Sequence, residues 1–316
     1  MVQEKIGHGP DMRVSVAGVE FTNPVIAASG TFGYGTEFEE IVDMARLGGF
    51  VTKGLSIAPM PGNPAPRIIE TSAGMMNAIG LQNMGVQAFI AKRLPVLQRI
   101  TRTTQAKVIV NVFGYTVEDY LAVVRVLNAV DGVAMYEINA SCPNTSHGGA
   151  VFGTDSDLLR GLVSAVKNEA KRPVMVKLSP NVTNVAHMAW VAQDAGADAI
   201  SMINTFLALA IDVETRKPRI ANGTGGLSGP AIKPIAVRMV HEASRAVKIP
   251  IVGMGGILTA EDVVEFLLAG ATAVQIGTAS YADPRATEKI ANDLKRWCSA
   301  HQVGRVGELT GQMIWQ

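Results

Sequence analysis

One thiol flanked by two amides offers the clearest chemistry in the chain. The stretch Tyr136-Glu137-Ile138-Asn139-Ala140-Ser141-Cys142-Pro143-Asn144 runs into Thr145-Ser146-His147-Gly148-Gly149. It starts as a strand, breaks at Pro143 and continues into a flexible glycine pair. Cys142 therefore sits just past a strand end, with Asn139 three residues before it and Asn144 two after. A thiol can take a proton, and an amide side chain both donates and accepts hydrogen bonds. That set suits a small planar heterocycle whose edge alternates N–H and C=O. The plainer reading is a loop holding a small buried hydrophobe.

Similar polar residues close other apolar runs. Ser29, Lys53, Asn111, Asn139, Lys177 and Asn204 each stand at or near the C-terminal end of such a run. Gly255-Gly256 and Gly277-Thr278 follow two more. Lysines and asparagines ending apolar strands this regularly indicate one shared site.

The elements that would position them alternate in type. The sequence predicts strands at 24–29, 50–54, 107–113, 134–139, 173–178, 199–204, 250–253 and 273–276. Between them it predicts helices over 36–47, 86–100, 116–130, 155–170, 184–195, 230–247 and 259–269, with Thr116 and Thr259 as N-caps. The strands are continuous apolar runs, as strands buried on both faces require. The fold expected is α/β, a (β/α)8 TIM barrel with long insertions after strands 2 and 6, forming one domain over 1–316. The insertions are Leu55 to about Met84, rich in proline, and Thr205 to Gly229; long irregular segments in compact domains are usually functional. A doubly wound open sheet is the alternative. Neither Gly30-Thr31-Phe32-Gly33-Tyr34-Gly35 nor Gly223-Thr224-Gly225-Gly226 has the glycine spacing of a dinucleotide fingerprint.

Composition narrows the function classes. Hydrophobic residues make up 48% of the 316 and charged residues 17%, enough apolar material for a large core. A net charge of +1 with no basic run argues against nucleic acid as a partner. No apolar run is long enough to span a bilayer, and Met1-Val2-Gln3-Glu4-Lys5 opens no signal peptide, so a cytoplasmic protein with no membrane partner is expected. Two cysteines, Cys142 and Cys298, fit neither a disulfide framework nor a cysteine-rich metal site. No metal is expected, and Cys298 reads as an inert thiol.

In a barrel of this kind active groups gather at the C-terminal strand ends, and a phosphate commonly binds after strands 7 and 8. Gly253-Met254-Gly255-Gly256 and Gly277-Thr278 occupy those places, where backbone N–H groups can approach an anion. A phosphate there plus hydrogen-bonding groups near the axis fits a phosphorylated cofactor such as flavin mononucleotide (FMN). Lys177 beside the flavin N1–C2=O edge would stabilise negative charge on the reduced ring.

Several motifs together resemble the dihydroorotate dehydrogenases of pyrimidine biosynthesis. They are Asn139-x-Ser141-Cys142-Pro143-Asn144, Asn77-Ala78-Ile79-Gly80-Leu81-Gln82-Asn83, Thr52-Lys53-Gly54, Ile203-Asn204-Thr205 and Gly225-Gly226-Leu227-Ser228-Gly229-Pro230. The resemblance runs from about Val14 to about Arg296. Cysteine rather than serine before Pro143 is similar to the soluble class 1 enzymes. His147-Gly148-Gly149 and the later Gly-Gly-Leu-Ser-Gly-Pro run are similar to subclass 1B.

The resemblance implies FMN contacts from Ser29, Lys53, Gly54, Asn111, Asn139, Lys177, Ile203, Gly229, Gly255, Gly256, Gly277 and Thr278. It implies that substrate meets Lys53, Asn77, Ala78, Ile79, Gly80, Leu81, Asn139, Asn144, Asn204 and Thr205. Cys142, as thiolate, would remove the C5 proton of dihydroorotate while hydride leaves C6 for flavin N5, with Lys53 as the second catalytic residue. Subclass 1B further implies a partner subunit carrying FAD, a 2Fe-2S cluster and the NAD site, in a heterotetramer of two plus two chains. Three rival readings carry their own discriminators. Another FMN barrel acting on dihydropyrimidines would not need a substrate carboxylate. A flavin-free lyase or aldolase would use Lys53 or Lys177 as a Schiff base and be colourless. A fumarate-using class 1A homodimer would work alone.

Overall fold

The structure is a computed structural model describing residues 9–141 and 152–315. Eight parallel strands close into a barrel in sequence order. They are β1 (Val25–Ala27), β2 (Gly49–Val51), β3 (Lys107–Val112), β4 (Met135–Asn139), β5 (Val174–Lys177), β6 (Ala199–Met202), β7 (Ile251–Met254) and β8 (Ala273–Ile276). Apart from Lys107, every residue of these strands is buried. Continuous apolar runs are what a strand between a packed interior and an outer helix layer needs. The barrel closes where β8 pairs with β1, Val274 opposite Val25 and Ile276 opposite Ala27. The (β/α)8 expectation is met and the open sheet is not.

The outer helices follow their caps. Helix α3 (Val117–Asn128) starts at a reciprocal capping box between Thr116 and Asp119, and α7 (Ala260–Leu268) at one between Thr259 and Asp262. In each, the hydroxyl and the carboxylate satisfy otherwise orphaned N–H groups of the first turn. Also packed around the barrel are α4 (Ser156–Glu169), α5 (Val185–Asp194), α6 (Lys233–Ala246) and α9 (Ala286–Ala300). Cys298 on α9 is a buried free thiol, and burial pushes its pKa up, as an inert core cysteine requires.

Two helical expectations are corrected. Residues 36–47 form only two 3-10 turns, Thr36–Phe38 and Met44–Arg46. Asp43 is extended between them and its side chain accepts from Ala45 N, while its own N–H donates to buried Glu288 on α9 at 3.2 Å. A long-range acceptor thus takes a donor that a continuous helix would have used internally. The 86–100 helix is split into α1 (Val86–Lys92) and α2 (Leu94–Thr104). Pro95 has no N–H for the carbonyl of Ala91, so the axis breaks there and a new helix starts with proline in its first turn.

The two insertions are more regular than expected, and they meet. Ile68–Thr71 and Gly74–Asn77 form a hairpin in the first; Phe206–Ala208 and Gly225–Ser228 come from the second. Together they make one antiparallel four-stranded sheet, with Gly226 opposite Asn77 and Phe206 opposite Leu227. Both insertions leave C-terminal strand ends, so this sheet stands over the mouth of the barrel. Among the described residues no helix is long and apolar enough to cross a membrane.

Candidate active site

A cavity of about 450 Å³ opens at the C-terminal mouth of the barrel, roofed on one side by the insertion sheet. Every described residue assigned to the site from sequence lines it. Ser29 follows β1 and Lys53-Gly54 follow β2; Asn111 and Asn139 lie on β3 and β4; Lys177 ends β5. Ile203, Asn204 and Thr205 follow β6, Gly255-Gly256 follow β7 and Gly277-Thr278 follow β8. The run Asn77 to Leu81 and Gly229 reach it from the two insertions. Cys142 and Asn144 lie outside the described residues, as do Pro143 and His147-Gly148-Gly149.

The polar wall is built by register. Asn139 and Lys177 stand opposite each other across β4 and β5. Asn139 is buried, and its backbone carbonyl accepts from the Tyr120 hydroxyl of α3 at 2.8 Å, fixing the end of β4. Ser141 links two amides: its hydroxyl donates to Asn139 Oδ1 at 2.9 Å and accepts from Asn204 Nδ2 at 2.6 Å. Asn204 Oδ1 in turn accepts from Thr205 N at 2.9 Å. Asn139 is therefore oriented with its carbonyl committed and its amino group left to donate. Asn63 donates to the carbonyl of Ala78 at 2.9 Å and pins the 77–81 run.

Two cations flank these amides. Lys177 is buried, at 7% exposure. Lys53 is half-buried, and burial is the larger cause that holds its pKa below the usual lysine value; nearby Arg67 lowers it further, while Glu37 opposes. Its backbone N–H is held by Gly33 O at 2.7 Å.

Glycines form the opposite wall. Gly229, Gly255 and Gly256 have φ of 97°, 128° and 78°, the left-handed region that favours glycine. A Cβ on Gly256 would stand 2.8 Å from Gly229 O and 2.9 Å from Lys233 N, so the two loops touch through bare backbone. A Cβ on Gly277 would meet nothing closer than 3.7 Å; that glycine leaves open space toward the cavity. Thr278 Oγ1 donates to Ser228 Oγ at 2.8 Å, tying the end of β8 to the second insertion.

Sequence reasoning missed Glu137, Gln275, Ser141 and Ser228. The first two carried a signal: a polar residue in the middle of an otherwise apolar barrel strand must have partners inside. Ser141 and Ser228 carried none, since a serine beside a strand end is ordinary in a loop.

A barrel with lysines, amides and a glycine cradle converging on its C-terminal mouth is the architecture of a small-molecule enzyme, with the glycine loops suited to a phosphate. The family model for Dihydroorotate dehydrogenase matches residues 11–297, and the chain belongs to that family. It is 54% identical over 304 residues to the catalytic subunit of dihydroorotate dehydrogenase B (NAD(+)) from Pelobacter propionicus, covering 96% of this chain and 99% of that one. The Geobacter sulfurreducens protein of the same name is 53% identical, with 96% and 98% covered. A Solibacter usitatus protein provisionally named dihydroorotate dehydrogenase A (fumarate) is 53% identical, with 96% and 99% covered.

Proposed function

We propose that this chain is the FMN-binding catalytic subunit of a cytosolic, NAD-linked dihydroorotate dehydrogenase, oxidising dihydroorotate to orotate. The observation that carries the proposal is the convergence on one cavity of every described residue that the family pattern assigns to cofactor or substrate.

The residues present fit FMN. The Gly255-Gly256 and Gly277-Thr278 turns offer backbone N–H groups to a phosphate where a side chain at 256 would collide with Gly229 and Lys233. Lys177 supplies a buried positive charge where a ring that gains electrons would need one. When bound, FMN supplies the acceptor for the hydride that leaves substrate C6. Cys142 is assigned as the base that takes the proton from substrate C5. Lys53 provides a cation for the substrate carboxylate, and burial strengthens that attraction by excluding water. Asn77, Asn139, Asn144 and Asn204 are assigned to the alternating N–H and C=O edge of the pyrimidine, and a site built to hydrogen-bond rejects analogues lacking those groups.

Electrons need an exit. Two cysteines are too few for a 2Fe-2S cluster with four thiolates, and the chain has no dinucleotide fingerprint. The words catalytic subunit and NAD(+) in the names of the B-type relatives support a partner subunit; to that partner we assign FAD, the cluster and the NAD site, in a complex of two plus two chains. The chain purified alone and loaded with FMN is expected to oxidise dihydroorotate with an artificial dye but hardly with NAD; adding the partner restores NAD reduction. Failure to reduce the dye would overturn the activity. Robust turnover of NAD or fumarate by the chain alone would overturn the B-type assignment and, with fumarate, favour the A type.

A further inference from the structure

A carboxylate lies beneath the floor of the cavity, and nothing in the reaction as described uses it. Glu137, in the middle of β4, is fully buried. It is two residues before Asn139 and so faces the same side of the strand, about 7 Å lower along it at roughly 3.3 Å per residue. Its Oε1 accepts from Asn111 Nδ2 at 2.7 Å; its Oε2 accepts from Ser201 Oγ at 2.8 Å and from Gln275 Nε2 at 2.7 Å. Four side chains from β3, β4, β6 and β8 thus meet inside the barrel. All three partners donate, the environment of a group that accepts at both oxygens.

The cluster is costly, and it reaches the cavity. With their amino groups committed to Glu137, Asn111 Oδ1 and Gln275 Oε1 are left buried without a hydrogen-bond partner among the described residues. Apolar residues at these positions would avoid both orphaned carbonyls and the burial of a carboxylate. Yet Asn111 and Gln275 both line the cavity, next to the glycines and Lys177 of the cofactor wall. The cluster therefore fixes two side chains of the cavity floor and sets a negative group below them.

We propose that Glu137 is a positioning residue that holds the cavity floor through Asn111 and Gln275 and, through its charge, weakens binding of the reduced cofactor relative to the oxidised one. It opposes Lys177, so the two residues together set the redox balance of the site. This inference rests on the FMN reading of the cavity.

The test is a reductive titration of FMN-loaded protein, with oxidised FMN affinity measured separately. Glu137→Gln keeps the shape but removes the charge and replaces one acceptor oxygen by a donor, which Asn111 or Gln275 can meet by turning its otherwise unpartnered carbonyl toward it. The ratio of reduced to oxidised FMN affinity is expected to rise about tenfold, a two-electron midpoint about 30 mV higher. The double variant, Glu137→Gln with Gln275→Glu, returns one carboxylate to the cluster. The new amide at position 137 can then accept from Asn111 and donate to the new carboxylate at position 275, and the ratio is expected to return to within about threefold of wild type. This variant also serves if the single one does not fold. An unchanged midpoint in Glu137→Gln, or a swap whose ratio departs from wild type by about threefold or more, overturns the role of Glu137 while leaving the FMN reading intact. A wild-type protein that binds no FMN overturns both.

Discussion

Replacing Ser141 by alanine removes one oxygen that serves two amides. The wild-type hydroxyl donates to Asn139 Oδ1 and accepts from Asn204 Nδ2, at 2.9 and 2.6 Å. Loss of two hydrogen bonds costs about 1–3 kcal/mol in stability, at a net 0.5–1.5 kcal/mol each. Because Asn139 is buried, its stranded carbonyl places the loss toward the upper end. The effect on ligand binding has a separate origin. Asn139 becomes free to rotate in the empty site, whereas Asn204 stays held by Thr205 N, and ordering Asn139 again costs about 0.5–1.5 kcal/mol. Orotate affinity is therefore expected to fall about 2- to 12-fold, with KM for dihydroorotate rising in parallel. Isothermal titration with orotate gives the affinity, and urea unfolding gives the stability. A cycle with Asn204→Ala supplies the control: once Asn204 is gone, Ser141→Ala should cost clearly less, a coupling of at least about 0.5 kcal/mol. Orotate binding within twofold of wild type in Ser141→Ala, or strict additivity in the cycle, would refute the account of a hydroxyl that orients the pyrimidine-binding amides.

Three further outcomes are expected. Cys142→Ala should retain FMN and orotate but lose about 10²–10⁴-fold in turnover, as removal of a general base does; a variant within about threefold of wild type in steady-state kinetics would take the role from Cys142. Burial lowers the Lys53 pKa from its usual 10.5, so the cation is present below the lowered value and is lost as pH rises through it. Orotate affinity should accordingly fall on the alkaline side before pH 10.5 is reached, and Lys53→Arg should abolish that limb; a limb unmoved by the substitution would assign it to another group. Gly256→Ala should lower stability by about 2–3 kcal/mol, because a left-handed backbone costs 1–2 kcal/mol for a residue with a Cβ and this Cβ meets Gly229 O at 2.8 Å. Gly277→Ala, which meets nothing closer than 3.7 Å, should unfold like wild type while binding FMN more weakly; equal urea midpoints for the two variants would refute the contrast.

The barrel was legible because its signals are local. Strands buried on both faces are apolar throughout, and hydroxyls at Thr116 and Thr259 mark helix starts with an acid three residues on. The lysines and amides at strand ends were legible for the same reason, since each interrupts or ends an apolar run. What was not legible depends on distant partners. The segment 36–47 has helical spacing, but Glu288 on α9 takes the N–H of Asp43. Glu137 and Gln275 were visible as polar residues in apolar strands, yet their meeting depends on β4 and β8 facing each other across a closed barrel.

The insertions show how tightly those distant partners specify the site. Residues 74–77 and 225–228 are 4-residue strands from segments some 150 positions apart, and each is unremarkable alone. Their pairing puts Gly226 opposite Asn77 and Ser228 opposite Met75. Side chains alternate between the faces of a sheet, so a slip of one residue would turn Asn77 away from the face it now presents. The glycines exclude such a slip by leaving room for one arrangement. A Cβ on Gly226 would lie 2.0 Å from Thr205 Oγ1, and one on Gly74 would lie 2.0 Å from Ser228 O. Thr205 and Ser228 both line the cavity, and Ser228 is the hydroxyl that receives the Thr278 bond from the end of β8. Bare backbone at two positions thus brings the substrate-side run, the end of β6 and the end of β8 into a single wall. The glycines of Gly225-Gly226-Leu227-Ser228-Gly229 are there for contact between chain segments as much as for a ligand.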